Sequence, residues 1–249
     1  MPKKKIWGRC RLCHLDDWLV DSDIIPKFHY KPLKETEGRF YVLSTDASKK
    51  VIPEQKTITE NLLCAQCDNE RLSLYEGHLA KVIFGGHPLA ARQDGPLLLI
   101  EGYDYKKIKN GLLSILWRMS ISTNGFFSSV DLGVKHEERL RVALLKNIEL
   151  PEEEYPILLI APLFDGKTLS DLILEPTFAR VGGNRIYRCL ISGLIFTFIV
   201  GSAPLGEMER ILILRARSWP VGRAKVEDIP FLHDACMRQS LAIRARKHA

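Results

Sequence analysis

The chain has 249 residues, 46% hydrophobic and 27% charged, which excludes a disordered polymer and leaves room for one large domain or two small ones. Its net charge of +6 and pI near 9.0 favour a polyanionic partner, because phosphates attract Lys and Arg at long range, although a plainly solvated basic surface gives the same balance. A secretory leader and a membrane span are not expected: Lys3 to Lys5 lead into Trp7-Gly8-Arg9-Cys10 rather than an apolar run, and the most hydrophobic stretch, Cys189 to Gly201, is too short to cross a bilayer as a helix.

In chain order, residues 1–90 read as one unit in which two close cysteine pairs bracket an insertion rich in Lys, Thr and Glu. Ile24 and Ile25 suggest a short strand that stops at Pro26, which lacks an amide donor. Gly38 to Ser44 alternates as a strand. Asp68 is placed to cap a helix carrying Leu72, Tyr75, Leu79, Val82 and Ile83 at helical spacing, which Gly85 and Gly86 end. Residues 88–100 read as a connection punctuated by Pro88, Gly95 and Pro96.

Residues 91–249 then read as an α+β domain with two helices and an antiparallel sheet. The helices span Tyr105 to Thr123, with Leu112, Leu113, Leu116 and Met119 on the buried face, and Val134 to Asn147. Strands are expected over Pro156 to Leu163, Thr177 to Val181, Arg185 to Val200 with a break at Ser192-Gly193, and Glu209 to Ala216. Gly182-Gly183-Asn184 reads as a hairpin turn. A last helix is expected over Leu232 to Arg246.

Cys10-Arg-Leu-Cys13 and Cys64-Ala-Gln-Cys67 are two C-x-x-C pairs. In a cytoplasmic protein, where thiols stay reduced, such pairs more often bind metal than form disulfides. Each pair presents two thiolates to one side, and two pairs complete a tetrahedral shell for Zn²⁺ at about 2.3 Å per bond. A closed four-thiolate shell is structural rather than catalytic. The alternative, a redox pair, normally opens a helix inside a βαβ unit, a context neither pair has. Cys189 and Cys236 have no close cysteine neighbour and read as small buried hydrophobes.

The first pair is followed by Ser22-Asp23-Ile24-Ile25-Pro26, and the second is embedded in Asn61-Leu62-Leu63-Cys64-Ala65-Gln66-Cys67-Asp68. This order and spacing resemble the HNH endonuclease superfamily in its four-cysteine form, over about residues 8–84. Ser114 to Arg118, Glu138 to Arg141 and Glu154-Tyr155-Pro156 extend the resemblance to a group of bacterial HNH-like proteins. The resemblance implies an N-terminal ββα-metal module that hydrolyses phosphodiester bonds. In that family a His at the end of the first strand is general base, a divalent ion such as Mg²⁺ stabilises the phosphate and leaving oxygen, and a helix residue helps hold the ion.

Carried onto this chain, Asn61 matches the middle Asn, and Asp68 falls at the metal-binding helix position as an oxygen donor. Asp23 stands where the family has His, and a carboxylate cannot copy a neutral imidazole poised near neutrality. Two readings follow. In one, Asp23 and Asp68, with Glu76, hold catalytic Mg²⁺ or Mn²⁺, and the metal-bound water or His29 supplies the base. In the other, the module is degenerate and binds nucleic acid or a protein without cutting. The partner expected is nucleic acid, DNA ahead of RNA, with a protein partner possible through the second domain and no membrane.

Overall fold

The computed structural model describes residues 6–31, 40–44, 52–54, 57–169 and 172–237. Lys3 to Lys5 therefore lie outside the described residues.

The first cysteine pair sits in the turn between β1 (Ile6–Arg9) and β2 (Asp16–Asp23), which pair antiparallel with Ile6 opposite Leu19 and Arg9 opposite Asp16. Ile24 and Ile25 are buried but only follow β2, and Pro26 precedes a single 3-10 turn, Lys27–Tyr30. The short strand expected there is thus the end of a longer one upstream. The insertion supplies β3 (Phe40–Leu43) and β4 (Ile52–Glu54), an antiparallel pair. β5 (Thr59–Cys64) returns to β2 and completes a three-stranded sheet, order β1-β2-β5, with a register irregularity between Val20 and Asp21.

A wide π-type helical turn, Gln66–Leu72, runs directly into α1 (Ser73–Phe84), which ends at Gly85 with φ 90°. Asp68 does not cap this helix, contrary to expectation. Ala65 is already helical in backbone, so Asp68 lies inside the first turn, where a carboxylate still suits the positive helix end.

Residues 88–100 are more than a connection. β6 (Ala90–Asp94) and β7 (Leu97–Glu101) form a hairpin, with Gly95 at φ 57° in the turn. α2 (Tyr105–Ile121) follows, capped by Asp104, whose side chain accepts from the Lys107 amide at 3.0 Å. It is buried almost all round, the mark of a central helix. It packs on α1 and on α3 (Gly133–Leu145). At the α1–α2 crossing Gly111 brings the backbones close: a Cβ there would lie 3.4 Å from the Tyr75 carbonyl.

The remaining elements are β8 (Ile157–Phe164), β9 (Lys167–Thr168), β10 (Leu172–Val181), β11 (Asn184–Ile191), β12 (Leu194–Val200), α4 (Glu207–Leu212) and β13 (Trp219–Lys225). They build a ten-stranded sheet with the path β4-β3-β10-β11-β12-β8-β13-β7-β6 and β9 beside β8. The sheet is mixed rather than antiparallel, because β3 runs parallel to β10 and β13 parallel to β8. Gly182-Gly183 and Ser192-Gly193, all at positive φ, close the two central hairpins as two-residue turns.

The expected strand over Glu209 to Ala216 is instead α4 followed by a single bridge from Ile213 to Leu158. Met208 and Ile211 face solvent while Ile213 and Leu214 are buried, and Glu207 and Glu209 favour the helix start. Residues 230–237 are helical, and the rest of the expected Leu232 to Arg246 helix lies outside the described residues. Among the described residues no helix is long and apolar enough to cross a membrane.

One apolar cluster joins Cys10, Leu12 and Ile24 to Leu79, Leu112 and Trp219. The three-stranded sheet, the three longer helices and the large sheet thus share a core, and the expected boundary near residue 90 falls within it.

Candidate metal centre and buried acid cluster

The first cysteine turn is held by backbone bonds before any metal is considered. The His14 amide donates to the Cys10 carbonyl and the Cys10 amide to the Leu15 carbonyl, both at 2.9 Å. His14 takes φ 64°, the left-handed conformation that turns the chain back. The Arg11 amide donates to the Leu62 carbonyl at 2.9 Å, tying this turn to β5. Arg141 of α3 donates to the Leu12 carbonyl at 2.6 Å while forking onto Glu138 with two bonds of 2.7 Å. Cys64 closes β5 and Cys67 enters the helix, so the second pair faces the first.

The four sulfurs lie within 4.8 Å of one another, with Cys13 and Cys64 at 3.9 Å. A tetrahedral zinc shell places its sulfurs about 3.8 Å apart, given bonds near 2.3 Å. The donor set therefore fits a metal such as zinc. Cys10, Cys64 and Cys67 are buried and Cys13 is half-buried. A hydrogen bond from the Cys67 thiol holds the Cys10 pKa down, and the same bond pushes Cys67 up. Four crowded sulfurs cannot all ionise without a cation among them.

The expected catalytic acids meet a different environment. Asp23, at the end of β2, accepts from the Thr57 hydroxyl at 3.0 Å and pairs with Lys27 at 3.2 Å. Arg118 of α2, 1% exposed, donates to the Asp23 backbone carbonyl at 2.7 Å, to Glu76 at 2.6 Å and to the Ser114 carbonyl at 3.2 Å. Burial pushes the Asp68 carboxyl up, while Arg118 and the Ser22 hydroxyl oppose it. Burial likewise raises Glu76 against the pull of Arg118, with Asp68 and Asp23 adding to the rise. The buried guanidinium is thus paired with Glu76, feels the charge of Asp68 and meets Asp23 through its backbone carbonyl.

Among the described residues, the four cysteines are the group of three or more His, Cys, Asp or Glu side chains that converges as metal ligands. Asp23, Asp68 and Glu76 do not converge in that way, so the geometry does not support the expected Mg²⁺ or Mn²⁺ between Asp23 and Asp68. Asn61 lies opposite Asp21 on β2 and donates to the Leu19 carbonyl at 3.4 Å, a role in strand pairing. His29, considered as a base, is fully buried against Phe28, Phe84 and Phe196. Its Nδ1 meets Ser192 Oγ at 3.1 Å, and burial, with Arg118 nearby, lowers its pKa to about 3. A buried imidazole so weakly basic cannot activate water at neutral pH.

Sequence reasoning missed Arg118, which reads there as part of an apolar helix. A cation inside the run Leu112 to Met119 was the available signal, since Arg is almost never fully buried without a partner. It also missed a cleft of about 410 Å³ beside the first cysteine turn, walled by Arg9, Arg11, His14 and Arg141. No family model, curated protein or solved structure matches the chain.

Proposed function

We propose that the chain is an HNH-like zinc protein that binds nucleic acid, with a degenerate nuclease centre. The observation that carries this is Arg118, whose guanidinium bonds Glu76 and the Asp23 carbonyl and stands as the cation among the acids a divalent ion would need. The HNH likeness is supported by the succession of β2, β5 and a helix, with Asp23 closing the first strand and Asp68 in the first helical turn. The four-cysteine shell fastens this succession together. Binding is electrostatic, in keeping with the net charge of +6.

A second reading, a metal-dependent endonuclease, is favoured by one observation. Asp23 closes β2 and Asp68 lies in the first helical turn, the two positions to which the resemblance assigns the base and the metal ligand. One experiment separates the two. Wild type, Asp23→Asn and Asp23→His are incubated with plasmid DNA or RNA in Mg²⁺ or Mn²⁺, and binding is measured across a salt series. The binding reading expects salt-sensitive binding with no cleavage by wild type or Asp23→Asn. Wild-type cleavage that falls by roughly 10²–10⁴-fold in Asp23→Asn would establish the nuclease instead. No binding even at low salt would sink both.

A further inference from the structure

We infer that the exposed face of the β1–β2 hairpin, with the arginine cleft beside it, binds single-stranded nucleic acid, Trp7 and Trp18 stacking unpaired bases while Arg9 and Arg11 take the phosphates. This rests on the nucleic-acid reading and names the form of polymer recognised. Trp7 and Trp18 are direct partners across the two strands. Their ring centroids are 5.4 Å apart and their planes 80° from each other. They remain 59% and 51% exposed, although Trp is highly buried on average. Ile6 and Leu15, on the same hairpin, are also exposed. Among the described residues β1 pairs with β2 alone, so this hairpin forms an open sheet edge.

Charge selects the occupant. Residues two apart on a strand share a face, so Arg9 lies beside Trp7. Arg9 also walls the cleft, with Arg11, His14 and Arg141. Its acids are largely engaged: Glu138 holds Arg141 and Glu137 accepts from Ser120. Of the other carboxylates on this side, Asp16 lies opposite Arg9, Asp17 lies opposite Gly8 and accepts from the Trp18 amide, and Glu60 accepts from Ser122 and Thr123 while feeling the charge of Arg11. Among the described residues the Arg9 and Arg11 side chains make no ion pair, and both line the same cleft as Arg141. Exposed indoles next to uncommitted guanidinium groups are the pairing that takes base faces and phosphates together. In a duplex the base faces are already stacked on each other, so the indoles contribute only to a strand with unpaired bases.

The test is fluorescence anisotropy with the full chain and a labelled oligonucleotide of about 15 nucleotides, single-stranded or annealed to its complement. The wild type should prefer the single strand. Trp7→Ala and Trp18→Ala should each weaken single-strand binding by roughly 5- to 100-fold and leave duplex binding unchanged. Arg9→Gln and Arg11→Gln should each reduce the single-strand salt slope by about 0.7. Zinc content and circular dichroism equal to wild type show that each variant is folded. Equal binding of both forms, or indifference to both Trp substitutions, overturns this surface while the nucleic-acid reading survives. An acidic peptide that displaces the strand, with both Trp variants unaffected, overturns it in favour of a protein partner. No binding of either nucleic acid removes the underlying reading itself.

Discussion

Arg118 and His29 are neighbours under the same burial and resolve it in opposite ways. Arg118 is accommodated because Glu76 and two carbonyls take its donors. His29 finds only a Ser192 hydroxyl and aromatic rings, and its folded pKa falls to about 3 from an ordinary 6.5. A base with a depressed folded pKa contributes stability that is complete above the unfolded value and is lost as pH falls toward the folded one. Between pH 6.5 and about 3 the unfolded chain should gain a proton at His29 that the folded chain refuses. His29→Leu should therefore lessen the loss of stability on acidification by up to about 1.4 kcal/mol per pH unit, read by urea unfolding at a series of pH values. Asp68 and Glu76, both raised, act the other way just above the ordinary carboxylate range, so the comparison is between variant and wild type at each pH. A parallel pair of stability curves would refute a neutral buried His29. At this scale the cysteines were legible because their chemistry is written in local spacing. The Arg118–Glu76 pair was not, since its members lie 42 positions apart and nothing local joins them.

Among the elements, the cysteine shell determines most. It fastens the β1–β2 turn to the β5–helix junction, and Leu12 and Cys10 within it belong to the same core as α2. Structural zinc binding in small modules contributes on the order of 10–16 kcal/mol, comparable to or larger than the stability of a whole domain. Protein purified without added metal should carry about one zinc per chain. Chelation or Cys64→Ala should abolish the cooperative thermal transition of the three-stranded sheet, followed by calorimetry beside elemental analysis. Metal-free protein with an unchanged transition would contradict this. Elements with local signatures were readable: the glycine turns around β11, the α2 periodicity, the Gly85 stop. β13 was not, because Pro220 and Gly222 argue against a central strand. The structure reconciles them by starting the pairing with β8 at Val221, so Pro220 has no donor to supply on that side. The β6–β7 hairpin hid behind Pro88, Gly95 and Pro96, which punctuate a turn as readily as a linker.

Across the whole molecule, the insertion between the cysteine pairs leaves its own sheet and enters the large one. β3 lies parallel to β10, and Ser44 donates to Glu175 across 131 positions. Residues 1–90 alone would uncover Tyr75, Leu79 and Val82, whose cover is shared with the rest of the core. Limited proteolysis of the full chain should accordingly release no stable 1–90 fragment, and that fragment expressed alone should aggregate or bind a hydrophobic dye. A soluble, dye-silent fragment with dispersed amide signals would refute a shared core. During synthesis, all four converging cysteines leave the ribosome more than a hundred residues before β10 does. A metal bound there would therefore clamp the chain while Phe40 to Leu43 still has no parallel partner to lie against. For that interval the nascent chain carries a strand edge with nothing beside it, the kind of surface that recruits chaperones or neighbouring nascent chains. The length of that exposure is set by synthesis of the residues that separate Leu43 from β10.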